Sequence, residues 1–123
     1  MTTVLIVDDH GVFRADAREL LEAAGYDVIG EAADAAQAVR EARRLEPDVV
    51  ILDVQLPDDD GFAVAWELAS DTRTPRIVMV STREAADYGS QLRASPIVGF
   101  IHKPDLSRER LAALVGPPGG PPP

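Results

Sequence analysis

Four short apolar runs punctuate the chain: Val4-Leu5-Ile6-Val7, Val49-Val50-Ile51-Leu52, Ile77-Val78-Met79-Val80 and Val98-Gly99-Phe100-Ile101. Continuous runs of this length, bounded by polar residues, predict strands buried on both faces, as in a parallel sheet covered by helices. A fifth segment, Tyr26-Asp27-Val28-Ile29-Gly30-Glu31, mixes acidic and apolar positions. It predicts a strand exposed on one side, at a sheet edge.

Helical periods fill the intervals. Phe13, Ala17, Leu20, Leu21 and Ala24 form one apolar stripe that ends at Gly25, a natural residue for a left-handed helix terminus. A second helix starts at Asp34, whose carboxylate caps while Gln37 reaches back; its stripe runs Ala35, Ala38, Val39, Ala42 and Leu45 before Pro47 stops it. A third helix holds Phe62, Ala65, Trp66 and Ala69. The fourth spans roughly 84–94 despite Gly89 and few large apolar residues, and a fifth holds Leu106, Arg110, Leu111 and Leu114. Strand followed by helix, five times over, predicts right-handed crossovers and a three-layer α/β sandwich with helices on both faces. Function in such sheets collects at the carboxyl ends of the strands, where the strand order reverses.

After Val115 the sequence reads Gly-Pro-Pro-Gly-Gly-Pro-Pro-Pro. Residues 116–123 offer no apolar side chain to bury and read as a disordered tail, a linker start or a polyproline ligand. The length of 123 residues fits one domain. Twelve basic against 21 acidic side chains leave a net charge of −9, which opposes nucleic-acid binding through the general surface. With no cysteine, disulfides, thiolate metal sites and cysteine nucleophiles are all excluded. Neither a signal-peptide pattern at the start nor an apolar run of about 18 residues is present, so we expect a cytoplasmic protein with no membrane association.

The chemistry gathers at strand ends. Asp8-Asp9 close the first strand and Asp53 closes the third, so the predicted fold brings three carboxylates to one rim. Three like charges in one pocket call for a cation, most simply the hard ion Mg²⁺ with its preference for oxygen ligands. Asp58, Asp59 and Asp60 extend the acidic character near the same rim. Lys103, the only lysine among eleven arginines, follows the last apolar run and supplies a compact counter-charge. Ser81 closes the run Ile77-Val78-Met79-Val80; on its own it reads as a strand cap, and beside the others as a hydroxyl donor. Metal-holding carboxylates, one carboxylate free to attack, and a lysine plus a hydroxyl aimed at anionic oxygens are the parts of phosphoryl transfer to an aspartate. His10 and His102 flank the rim without an assigned partner, and His10 reads as a helix-start residue rather than a base.

Leu5-Ile6-Val7-Asp8-Asp9-His10, Asp53-Val54-Gln55-Leu56-Pro57 with Gly61 beyond, Ser81, and Phe100-Ile101-His102-Lys103-Pro104 together resemble the receiver domain of bacterial two-component response regulators. The Asp-Asp-His opening is most similar to receivers of LuxR-type regulators, although no helix-turn-helix output segment follows. The resemblance implies a receiver domain over 1–115, with the flavodoxin-like fold and a parallel sheet of strand order 2-1-3-4-5. It implies that Asp53 accepts a phosphoryl group from a sensor histidine kinase or phosphotransfer protein. Mg²⁺ would be held by Asp8, Asp9, Asp53 and the backbone carbonyl of Gln55, while Lys103 and Ser81 hold phosphoryl oxygens. Ser81 and Phe100 would be the switch pair, changing the surface of the fourth helix, fifth strand and fifth helix, where such chains commonly form homodimers or meet an output partner. The output is a conformational change, so an enzyme is not implied.

Four departures from the family pattern bear on these expectations. Thr82 is bulkier than the alanine often found there and is expected to narrow access to Asp53; Phe100 lacks a phenolic hydroxyl; Pro96 stiffens the turn before the fifth strand; and Gln55 sits where water access is tuned. Lys103–Pro104 is expected to be a cis peptide, as in many members. Two other classes stand beside the leading one. One is a phosphorylation-independent receiver-like interaction module. The other is an aspartyl-phosphate phosphatase, which needs a second aspartate where this chain has Gln55.

Overall fold

The alternation of strands and helices is realised in the computed structural model, which describes residues 1–119. The strands are Thr3–Val7 (β1), Asp27–Ala32 (β2), Val49–Asp53 (β3), Arg76–Ser81 (β4) and Gly99–His102 (β5). The helices are Gly11–Ala23 (α1), Ala35–Leu45 (α2), Gly61–Ala69 (α3), Ser90–Ala94 (α4) and Arg108–Val115 (α5), with single 3-10 turns at Ala85–Asp87 and Lys103–Asp105. All strand pairs are parallel and the order is β2-β1-β3-β4-β5, a flavodoxin-like three-layer sandwich. The order reverses between β1 and β3.

Period-two alternation along fully buried strands builds two cores. Leu5, Val7, Val50, Leu52, Ile77 and Met79 face α2 and α3 through Ala38, Ala42, Phe62, Ala65 and Leu68. Val4, Ile6, Val49, Ile51, Val78 and Val80 face α1 and α5 through Ala17, Leu21, Leu111 and Val115. The edge position of β2 matches its mixed sequence.

Capping fixes where helices begin. Asp34 accepts from the Gln37 amide at 2.7 Å, and the Gln37 side chain reaches back past the cap to accept from the Ala33 amide at 2.6 Å. Ser107 caps α5 through the Arg110 amide, so Leu106 precedes the helix instead of opening it. Asp48 ties the start of β3 to β1: its Oδ2 accepts from Thr3 N at 2.9 Å and Thr3 Oγ1 at 3.2 Å, and its Oδ1 accepts from Arg73 at 3.2 Å. The Thr3 amide, helped by the Thr3 hydroxyl and nearby arginines, holds this carboxyl below its ordinary value. The ionised form therefore stabilises the fold above the unfolded value of about 3.9, and the contribution is lost as pH falls through the lower folded value. We expect Asp48→Asn to cost about 1–2 kcal/mol at pH 7, as for hydrogen bonds to a charged group. Urea unfolding should show the gap closing at pH 3, and a gap equal at both pH values would refute the assignment.

Three expectations are corrected. In α3 the buried residues are Phe62, Val64, Ala65 and Leu68, while Trp66 stands 56% exposed. This helix is covered by the sheet on one side and α2 on another, so its apolar arc is wider than one stripe and leaves Trp66 outside. The helix expected over 84–94 is broken: Ala85–Asp87 is a 3-10 turn, Gly89 takes φ +54°, and only Ser90–Ala94 is α-helical. A glycine in the left-handed region ends one turn and starts the next, and no residue of α4 is fully buried to oppose the break.

Third, part of the tail expected to be disordered is held. Tyr26 Oη donates to Gly116 O at 2.8 Å, Gly119 N donates to Thr2 Oγ1 at 3.0 Å, and Pro118 packs beside Gly25, 3.3 Å from where a Cβ would sit. Backbone groups, which composition does not reveal, anchor this turn. Residues 120–123 of that expectation lie outside the described residues. Among the described residues no helix is long and apolar enough to cross a membrane.

Candidate functional site

Register assembles the site at the reversal of strand order. Val7 pairs with Leu52, so Asp8 follows β1 level with Asp53, the last residue of β3. Asp53 pairs with Val80 and Ser81 with His102, which leads directly to Lys103. Asp8, Asp53 and Ser81 are buried, at 0%, 4% and 2% exposure.

The Lys103 ammonium stands between the two buried carboxylates, 2.6 Å from Asp8 Oδ2 and donating to Asp53 Oδ2 at 3.2 Å. The ammonium sits over the Phe13 ring, whose centre is 4.6 Å from Nζ. Asp8 Oδ2 nevertheless accepts no well-directed hydrogen bond, so the short approach to Lys103 is a charge contact that leaves a lone pair uncommitted. Burial, with the Asp8 charge adding, raises the Asp53 carboxyl above its ordinary value; Lys103 and the Gln55 amide, 3.3 Å from Oδ1, act against that rise.

Asp9 is exposed, and His10 bridges the pair, with Nδ1 3.0 Å from Asp8 Oδ1 and 3.1 Å from Asp9 Oδ1. Asp8, Asp9, His10 and Asp53 present ligand atoms all within 4.8 Å of one another. Three carboxylates with a buried, uncommitted oxygen make an oxygen-rich donor set that fits a hard divalent cation such as Mg²⁺.

Gly61 closes the floor of the site. Its amide donates to Val54 O at 2.6 Å, and a Cβ there would overlap the Asp53 carbonyl oxygen. Asp58 and Asp60 do not join the acidic pocket as expected. Asp58 accepts from the Ala35 and Ala36 amides at the start of α2, which hold its carboxyl below the usual value, and Asp60 caps α3 through the Ala63 amide at 2.8 Å. They lie on the rim as helix caps. Asp59 is exposed and accepts from the Asp60 amide.

Ser81 Oγ has hydrogen-bond partners other than Asp53 and Lys103. It lies 2.7 Å from Tyr88 Oη and accepts from the Arg83 amide at 3.0 Å. Phe100 is half-buried beside Tyr88, with ring centres 5.9 Å apart. Thr82 is exposed and its carbonyl is engaged by His102 Nε2 at 2.9 Å. Gln55 is exposed and bridges to Asp60. The Lys103–Pro104 peptide is trans, contrary to expectation, with Lys103–Asp105 forming a 3-10 turn whose start suits a proline.

Sequence reasoning missed three participants. His10 pairs with two carboxylates, Arg14 Nη1 donates to Asp8 O at 2.6 Å, and Tyr88 holds Ser81. His10 carried a signal in its adjacency to Asp8-Asp9; Tyr88, in a loop seven residues from Ser81, follows no helical or strand period.

The family model for the response regulator receiver domain matches residues 4–115. The transcriptional regulatory protein PdtaR of Mycobacterium tuberculosis is 37% identical over 111 residues, covering 90% of this chain and 54% of that protein. A LuxR-family two-component response regulator from Aurantimonas sp. SI85-9A1 has a TM-score of 0.82 at 27% identity, covering 96% of this chain and 89% of that one. CheY in a CheX-CheY-BeF3-Mg²⁺ complex from Borrelia burgdorferi has a TM-score of 0.82 at 26% identity, covering 93% and 86%. The chain spans about half the length of the first curated relatives it matches.

Proposed function

Because the chain belongs to the response regulator receiver family of two-component systems, we propose that Asp53 accepts a phosphoryl group from a phosphohistidine on a sensor kinase or phosphotransfer protein. One observation carries the reading: the Asp53 carboxylate is buried at the carboxyl end of β3 with Asp8 on one side and the Lys103 ammonium 3.2 Å away. A bare surface aspartate would lack both the desolvation and the counter-charge that suit a nucleophile for an anionic donor.

In the transfer, an Asp53 oxygen forms the new O–P bond while the N–P bond of the phosphohistidine breaks. Its electron pair returns to the imidazole nitrogen, which takes a proton from solvent. Asp8, Asp9 and Asp53, with the Gln55 carbonyl, are the residues that would hold Mg²⁺. When bound, that ion neutralises carboxylate charge and draws phosphoryl oxygens into the pocket. Lys103, released from its ion pair with Asp53 as that oxygen is esterified, remains in place to pair with a phosphoryl oxygen. Ser81 donates its hydroxyl to another. A relative in structure, the Borrelia CheY, was solved with BeF3 and Mg²⁺, which supports the same ligands here by similarity.

The chain then acts as a cytoplasmic two-state switch with no released product of its own. Phosphorylation adds charge and new hydrogen bonds at the strand ends. The face formed by α4, β5 and α5 would meet an output partner or a second copy, with Phe100 moving inward as part of the switch. Asp53→Asn should abolish Mg²⁺-dependent labelling by acetyl phosphate, and undiminished labelling of the variant would overturn the reading.

A further inference from the structure

Resting on that reading, we propose that Tyr88 is the positioning residue for the Ser81 hydroxyl: it holds Ser81 away from the acidic pocket and is released when a phosphoryl group takes that hydroxyl. The role expected of an aromatic on β5 falls to one in the loop after β4.

A serine hydroxyl has one proton to donate and two lone pairs. In Ser81 the Arg83 amide occupies one lone pair at 3.0 Å, and Tyr88 Oη lies 2.7 Å away on another side. Neither partner belongs to the acidic pocket, so the hydroxyl is committed outside it. To reach a phosphoryl oxygen on Asp53, the hydroxyl turns about its χ1 bond and leaves Tyr88. Ser81 is 2% exposed, so water does not readily replace the lost partner on its side, and the two interactions compete for one group. Phe100 cannot take this part because its ring carries no polar atom.

Tyr88 is placed to pass the change on. Its ring meets Phe62 of α3 edge-on, with centres 5.8 Å apart, and meets Phe100 of β5 at 5.9 Å. Three aromatic rings thus join α3, the loop after β4 and β5 in one contact chain. Gly89 at φ +54° follows directly, and α4 begins one residue later. Freeing the hydroxyl therefore loosens a ring that is packed against two neighbours and tethered at a glycine pivot. Phe100 is the adjacent group able to move into any space the ring gives up.

The chain has two tyrosines, Tyr26 and Tyr88. Tyr26 is hydrogen-bonded to Gly116 and serves as an internal reference. The full chain labelled with [13Cζ]tyrosine is titrated with beryllofluoride in the presence of Mg²⁺, with 19F spectra reporting the bound fluoride. The expected result is movement of the Tyr88 signal with loading and no movement of Tyr26. Ser81→Ala should shift Tyr88 in the same direction without ligand. Tyr88→Phe keeps the ring between Phe62 and Phe100 and should bind beryllofluoride about 3- to 10-fold more tightly, as expected for losing one competing neutral hydrogen bond. Bound fluoride with an unmoved Tyr88 signal, or unchanged affinity in Tyr88→Phe, overturns the inference and leaves Asp53 as phosphoacceptor. Absence of bound fluoride in the unmodified chain overturns both.

Discussion

Gly61→Ala should destabilise the protein by about 3 kcal/mol or more, at the upper end of overpacking costs, although alanine is the better helix former by about 1 kcal/mol. The added Cβ would overlap the Asp53 carbonyl oxygen and come within 3.0 Å of Val54 Cα and 3.1 Å of the Asp53 carbonyl carbon. These are backbone atoms, so no side chain can rotate out of the way. Either the start of α3 retreats, breaking the Gly61–Val54 hydrogen bond and the Asp60 cap, or the end of β3 shifts and carries the Asp53 carboxylate with it. Urea unfolding reads the first effect, and the rate of Mg²⁺-dependent labelling by acetyl phosphate reads the second. Stability within 1 kcal/mol of the unmodified protein, together with normal labelling, would show that the close approach imposes no constraint.

Lys103→Met should cost about 2–4 kcal/mol without metal, because removing one partner leaves buried carboxylates uncompensated. Methionine keeps an unbranched apolar side chain at this position while removing the charge, and with it the contact of the ammonium with the Phe13 ring. The Lys103 side chain is 9% exposed and its ammonium lies within 3.2 Å of both Asp8 and Asp53, while Arg14 is spent on Glu31 and on the Asp8 carbonyl. Proton uptake by Asp53, already favoured by burial and by Asp8, limits the penalty. Millimolar Mg²⁺ should stabilise the variant more than the unmodified chain, since the cation supplies the charge that was removed. Thermal unfolding with and without Mg²⁺ measures the difference. Equal metal-induced stabilisation of both proteins would deny Lys103 its part as counter-charge.

The parts legible in the sequence are those governed by one local rule. The runs Val4–Val7, Val49–Leu52 and Ile77–Val80 inside β1, β3 and β4 are apolar without interruption because both faces of each strand are covered, and their carboxyl ends then locate Asp8, Asp53 and Ser81 with no further information. Lys103 was legible for the same reason. What stayed hidden depends on contacts between positions with no shared period. Asp58 and Asp60 looked like more of the acidic pocket but spend their carboxylates on helix amides, which only tertiary placement decides. Trp66 looked like core because aromatic residues usually are, whereas α3 had already filled its buried arc with Val64 and Leu68. The hold of Tyr88 on Ser81 passes between a strand end and a loop, and the turn at Gly116–Gly119 is held by backbone groups that every residue type possesses.

The layering of the sheet is uneven, and this grades the free energy of local opening across the molecule. β1, β3 and β4 are covered on both faces, whereas β5 has one fully buried residue and α4 has none. Segments with little buried apolar area open at low cost, while the central strands open only with the whole domain. Asp53, the proposed acceptor, and the carboxylates of the candidate cation site are thus rooted in the part that costs most to open, and Ser81 stands at its boundary with the part that costs least. A chemical event at Asp53 can be felt as a change in the local unfolding equilibrium of the β5 side, without any cost to the strands that hold Asp53 in place.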